Sequence, residues 1–184
     1  MTAPVAAPVV KRPAYLLVPL LAGAVVAVVL GAFAHFHEPV RPTFSGPFPS
    51  PLSMKVWLAS VALLLALVQL VTALWMYGKL GVRAPGWTGT LHRVTGITAF
   101  LVTVPVAYNC LYSWGFAVSD PRAVLHSVLG CVFYGAFVAK VLTLHSKRVP
   151  GWALPWVAGT LFTALLGVTL TSAVYWLSTH GVPH

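Results

Sequence analysis

The sequence predicts an all-α protein, an integral membrane bundle of five transmembrane helices with a cytoplasmic N-terminus, and three observations carry that prediction. Of 184 residues, 59% are hydrophobic and 7% charged, against about 25% charged in an ordinary soluble domain. Two acidic and eleven basic side chains are too few to cover a water-facing surface, so most of the exterior faces lipid. The apolar residues also gather in five runs, each close to the roughly 20 residues that cross a hydrocarbon core. Finally, the basic residues stand singly or in pairs at the ends of those runs, as topology signals do. The net charge of +9 therefore reads as orientation, with no nucleic acid implied.

Residues 1–13 form a cytoplasmic segment, and the first run, 14–34, follows Lys11 and Arg12. It ends in Ala32-Phe33-Ala34, a small-x-small pattern of the kind found before a signal cleavage site. The run is longer than the 7–15 residues or so of a signal h-region, so it is expected to stay as a membrane helix. Next comes the longest connection, with Pro39, Pro42, Pro47, Pro49 and Pro51 around Ser45 and Gly46, which cannot continue a helix. The second run spans about 55–77, the third 92–115, the fourth 122–145 and the fifth 152–177. Together, residues 14–177 make one transmembrane domain, and 178–184 form an outer tail. The short connection through Ser119-Asp120-Pro121 predicts that the third and fourth helices pack together. Two stripes of small residues at four-residue spacing, Gly23-Ala27-Gly31 and Gly159-Thr163-Gly167-Thr171, predict close helix contacts.

If five helices alternate, Lys11, Arg12, Lys79, Arg83, Arg93, Lys147 and Arg148 fall on one side and Arg41, Lys55 and Arg122 on the other. The first side is then cytoplasmic, and the protein is a multi-pass protein of a bacterial plasma membrane with its C-terminus outside. Both acids, Glu38 and Asp120, fall outside. Lys140 lies within a run, about one turn before His145, from where its stem reaches the inner surface. Trp57, Tyr112, Trp114, Tyr175 and Trp176 mark the outer interface, and Trp75, Tyr77, Trp152 and Trp156 the inner one. Cys110 and Cys131 lie in apolar runs and have no metal-type spacing.

What remains as chemistry is histidine. Leu91-His92-Arg93-Val94-Thr95-Gly96 and Leu125-His126-Ser127-Val128-Leu129-Gly130 share L-H-x-V-x-G, each opening a membrane helix. A residue four positions on lies beside the first on a helix face, so Gly96 and Gly130 leave bare backbone next to His92 and His126. A flat macrocycle needs both an imidazole nitrogen for its iron and such a bare face, which makes haem the cofactor this pattern suits best. His92 and His126 open antiparallel helices at opposite faces of a core about 30 Å thick, so one iron cannot bind both. His145 is the inner candidate partner for His92. His126 has His35, His37, His180 or no second histidine. His126 and His145 are about 100° out of phase on their helix, and His145 also suits a helix C-terminus. On the outer side, His35 and His37 beside Glu38 form a separate, weaker candidate for copper or zinc, with His180 and His184 weaker still. Arg93 and Lys140 are candidate neutralisers of a haem propionate on the inner side.

The two L-H-x-x-x-G starts, 34 residues apart, and the His126-Ser127-x-Leu129-Gly130 phrase resemble the middle helices of the cytochrome b561 superfamily. These are transmembrane electron-transfer proteins that hold haem b between helices. The likeness covers about residues 91–172 and implies electron transfer, by haem b, between a quinol or small reductant and a redox partner protein. Only His92 and His126 carry over: that family has histidines on four successive core helices, whereas here the second and fifth helices have none inside the membrane, and Asn109 stands at the outer end of the third. One haem, or a ligand scheme of its own, is therefore expected. The stretch Leu91–Ser172 also resembles an uncharacterised group of actinobacterial membrane proteins, at Pro105-Val106-Ala107-Tyr108-Asn109-Cys110 and Phe133-Tyr134-Gly135-Ala136-Phe137.

Two carboxylates, both in loops, leave no acid pair for general acid–base work and no carboxylate relay across the membrane. No phosphate-binding glycine loop or nucleophile elbow is present. The expectations are thus a b-type cytochrome-like protein; a haem-free membrane scaffold or assembly subunit; or an outer-facing metal-binding membrane protein.

Overall fold

The computed structural model describes residues 11–40, 43–118 and 120–183. Residues 1–10, Arg41, Pro42, Ser119 and His184, which the sequence reading uses for topology, a turn and a tail histidine, lie outside the described residues. All regular structure among the described residues is helical. A short 3₁₀ turn, Pro13–Leu16, leads into α1 (Leu17–Phe36). Then come α2 (Pro51–Met76), α3 (Thr88–Tyr108), α4 (Pro121–His145), α5 (Ala153–Thr169) and α6 (Tyr175–His180). Asn109–Trp114 continues α3 as a π-helix, and Leu170–Val174 joins α5 to α6 in the same wider winding. Counted through these joints, five helices of 24, 26, 27, 25 and 28 residues are long and apolar enough to cross a membrane. The protein is a multi-pass membrane helical bundle.

Local sequence accounts for the ends. Proline fills the first turn of α2 and α4, where no backbone N–H is required. Ser50 accepts from the Ser53 N–H, and Asp120 from the Arg122 N–H, capping the same two helices. These caps start α2 at Pro51, four residues before the expected start. Thr88 likewise opens α3 a turn earlier than expected, so His92 sits inside the helix. At the other ends, His35 lies in the last turn of α1, and α6 extends the fifth helix to His180, so neither histidine belongs to a loop or tail.

Helix neighbours differ from the expected hairpin of third and fourth helices. The closely packed pairs are α1 with α4, α2 with α3 and α4 with α5, and α2 also touches α5. The stripe Gly23-Ala27-Gly31 explains the first pair, because α1 and α4 cross with Gly23 against Gly135. A methyl group added at Gly23 would lie 2.5 Å from the Gly135 carbonyl oxygen, and one at Gly31 would rest 3.6 Å from Cys131 Sγ. Between α3 and α4 stand large rings instead. Phe100 stacks on Phe137 with centroids 4.0 Å apart, and the Tyr134 hydroxyl donates to Thr103, so these helices meet through side chains with their backbones apart. The second stripe packs only in its upper half: Gly167 meets Leu129 and Thr171 meets His126, whereas Gly159 and Thr163 are exposed.

The alternating directions gather Arg12, Lys79, Arg83, Lys147 and Arg148 at one end, where the Arg12 N–H donates to the Arg148 carbonyl. At the opposite end the proline-rich connection folds over the bundle. The fully buried Asn109 amide grips it, accepting from the Phe44 N–H at 3.0 Å and donating to the Phe44 carbonyl at 2.5 Å. Val40 donates to the Tyr112 carbonyl, and Phe116 to that of Ala34.

Candidate functional site

On α4, the residues Arg122, His126, Gly130 and Tyr134 follow at four-residue spacing and share one face. That face looks into a cavity of about 550 Å3 in the half of the bundle away from the basic end. All five spans contribute, with Ala34 from α1, Lys55 from α2, Trp114 from the π-helical end of α3, and Ser172 and His180 from the fifth helix. Both π-helical segments lie on its wall. The wider winding displaces side chains from ordinary helical register, and such segments recur at functional sites. The volume falls within the roughly 300–1,000 Å3 of small-molecule and cofactor sites, and the lining is mostly apolar with a few polar groups, as in those sites.

The hydrogen bonds of His126 fix its tautomer. Its Nδ1 lies 3.2 Å from the Val168 carbonyl and 3.3 Å from Thr171 Oγ1. A carbonyl only accepts, and the Thr171 hydroxyl already donates to the Gly167 carbonyl at 2.8 Å, so Nδ1 carries the proton. Nε2 therefore holds a bare lone pair, as a metal-ligating histidine requires. One turn on, a methyl group added at Gly130 would meet no atom within 4 Å. Imidazole and bare backbone thus face the same open space.

Two cations border that space. Arg122 donates to the Thr171 carbonyl at 2.7 Å, pairs with Asp120 at 3.1 Å and lies 4.1 Å over the Tyr175 ring. Lys55 Nζ stands 4.9 Å from the Trp114 ring centre, with no carboxylate partner among the described residues. Sequence reasoning counted both as topology markers. The signal available for Arg122 was its position four residues before His126; nothing in the chain order tied Lys55 to this site.

His92 is set differently. Its Nδ1 is 2.8 Å from Thr72 Oγ1, which also lies 2.7 Å from the Val68 carbonyl. The hydroxyl has one proton and more than one acceptor within reach, so this contact ties α3 to α2 and leaves the tautomer of His92 open. The space beside Gly96, however, is filled by Gln69 of α2. A methyl group at Gly96 would lie 2.9 Å from Gln69 Oε1, while Gln69 Nε2 donates to the His92 carbonyl and to Thr95 Oγ1. Gly96 accommodates a neighbouring side chain, and so does not provide the open face expected for a ring. His145 is exposed, its Nδ1 donating to the Val141 carbonyl of its own helix.

His35 and His37 do not converge. His35 packs edge-on to Phe36 and Phe116, whereas His37 stacks on Phe33 at 4.8 Å and meets the edge of Tyr112. Among the described residues, no group of three or more His, Cys, Asp or Glu could hold a metal ion. His180, stacked on Trp176 at 4.0 Å, is the histidine that shares the cavity with His126.

Neither the curated proteins nor the solved structures include a match to this chain. Residues 16–184 match the model of a family of unknown function, DUF6529, so this chain belongs to that family.

Proposed function

We propose that the protein is a b-type cytochrome-like membrane protein with one haem in the cavity away from the basic end, held by His126. The observation that carries this reading is the pairing on α4 of a histidine whose Nδ1–H is anchored to α5 with an open glycine one turn away. Bound haem b supplies one-electron reduction and oxidation at its iron. The residues do the rest. Val168 and Thr171 orient the imidazole, Gly130 leaves room on the α4 wall, and the apolar lining excludes water. The likeness to the cytochrome b561 superfamily, and exchange of electrons between a quinol or small reductant and a redox partner protein, belong to this proposal. So does the orientation, in which the basic end faces the cytoplasm of a bacterial cell.

Gln69 against Gly96 supports a structural role for His92, whose ring ties α3 to α2. Protein expressed with added haem and purified in mild detergent is expected to show a Soret band and one haem per chain. A colourless, well-folded preparation contradicts the proposal and favours a haem-free scaffold; two haems per chain contradict the single site.

A further inference from the structure

We infer that Lys55 and Arg122 form the carboxylate-binding rim of this cavity and take the propionate groups of the haem, which therefore points its acidic edge away from the basic end. The inference rests on the haem reading and deepens it. Arg122 and His126 are four residues apart on α4, so the Arg122 backbone sits about 6 Å nearer the helix start on the same face, and both side chains reach Thr171. Lys55, in the first turns of α2, lines the cavity too. The two cations thus stand on the side of the cavity away from the basic end, and His126 lies deeper.

Arg122 is paired with the half-exposed Asp120, whereas Lys55 has only the Trp114 ring and no carboxylate among the described residues. A partly buried ammonium with no carboxylate among the described residues is costly unless something supplies the anion. Haem supplies two carboxylates and an apolar macrocycle, the chemistry of this rim and this lining. Arg93 and Lys140, the cations expected from the sequence to serve propionates, belong to the other half of the bundle, where Gln69 fills the space beside His92.

The test replaces Lys55→Gln and Arg122→Gln, with Arg93→Gln as the control, and reads two quantities. One is the rate at which haem passes to a scavenger protein; the other is the midpoint potential in a mediated redox titration. Each rim variant is expected to lose haem about tenfold faster, as follows from loss of a charge-assisted pair. Its potential falls, because removing a positive charge favours the ferric state. Lys55→Arg restores both values, and Arg93→Gln changes neither. Arg122 also holds Thr171 and Asp120, so if Arg122→Gln fails to assemble, Lys55→Gln decides. A coloured protein whose potential and haem loss do not respond to Lys55→Gln overturns the rim. Colourless wild-type protein overturns the haem reading itself, and the rim with it.

Discussion

Gly130 and Gly96 occupy the same place in two nearly identical phrases, yet they do different work. A side chain at Gly130 enters open space, so Gly130→Ala is expected to leave the fold intact or stabilise it by about 0.5 kcal/mol through helix propensity. Gly130→Phe fills the cavity wall and is expected to remove bound haem while the helical circular dichroism stays unchanged. Colour retained in the Phe variant would show that the glycine face is not where the ring sits. At Gly96 the nearest atom is the Gln69 amide, so Gly96→Ala displaces a hydrogen-bonded side chain and is expected to cost about 1–2 kcal/mol in thermal unfolding in detergent. The L-H-x-V-x-G repeat made the histidines and glycines legible. It did not reveal Gln69, because a polar side chain twenty-odd residues upstream fills that space only through the pairing of α2 with α3.

The same limit holds for helices. Their number, order and approximate ends were readable from apolar runs of about 20 residues and from proline caps. Partner choice was not. The Gly23-Ala27-Gly31 stripe announced a close crossing, but only packing identifies Gly135 as its counterpart, and the rings of Phe100, Tyr134 and Phe137 keep α3 and α4 backbones apart despite their short connection. Gly135→Val is expected to separate α1 from α4 and destabilise the bundle by about 2 kcal/mol or more, read as a lower unfolding temperature in detergent. Gly159→Val, on an exposed stretch of the second stripe, is the comparison that should show no such loss. The π-helical segments leave no mark in hydropathy at all, since their register change is local. Asn109, read from the sequence as a departure from a histidine pattern, instead clamps the proline-rich connection through two hydrogen bonds to Phe44. Asn109→Leu is expected to cost about 1–3 kcal/mol and to open the connection around Phe44 to limited proteolysis; unchanged protection would mean that Val40 and Phe116 hold it without help.

At the scale of the whole molecule, the scarcity of charge that first marked a membrane protein also organises it. Most basic residues, Arg12, Lys79, Arg83, Lys147 and Arg148 among them, gather at one end of the bundle, while Lys55 and Arg122 stand at the other, beside the cavity. Under the proposed orientation these two residues lie on the translocated side, against the orientation signal, and the acidic groups of the proposed haem would give them a function there. Reporter fusions are expected to place the N-terminus inside and the C-terminus outside. The central claim is that His126, and not His92, holds a haem. It is tested most directly by the reduced-minus-oxidised spectrum of three preparations at equal protein concentration. Wild-type protein and His92→Ala should both show the α and Soret bands, and His126→Ala should show neither while keeping its helical content. Bands that survive in His126→Ala, or vanish in a folded His92→Ala, would contradict the account.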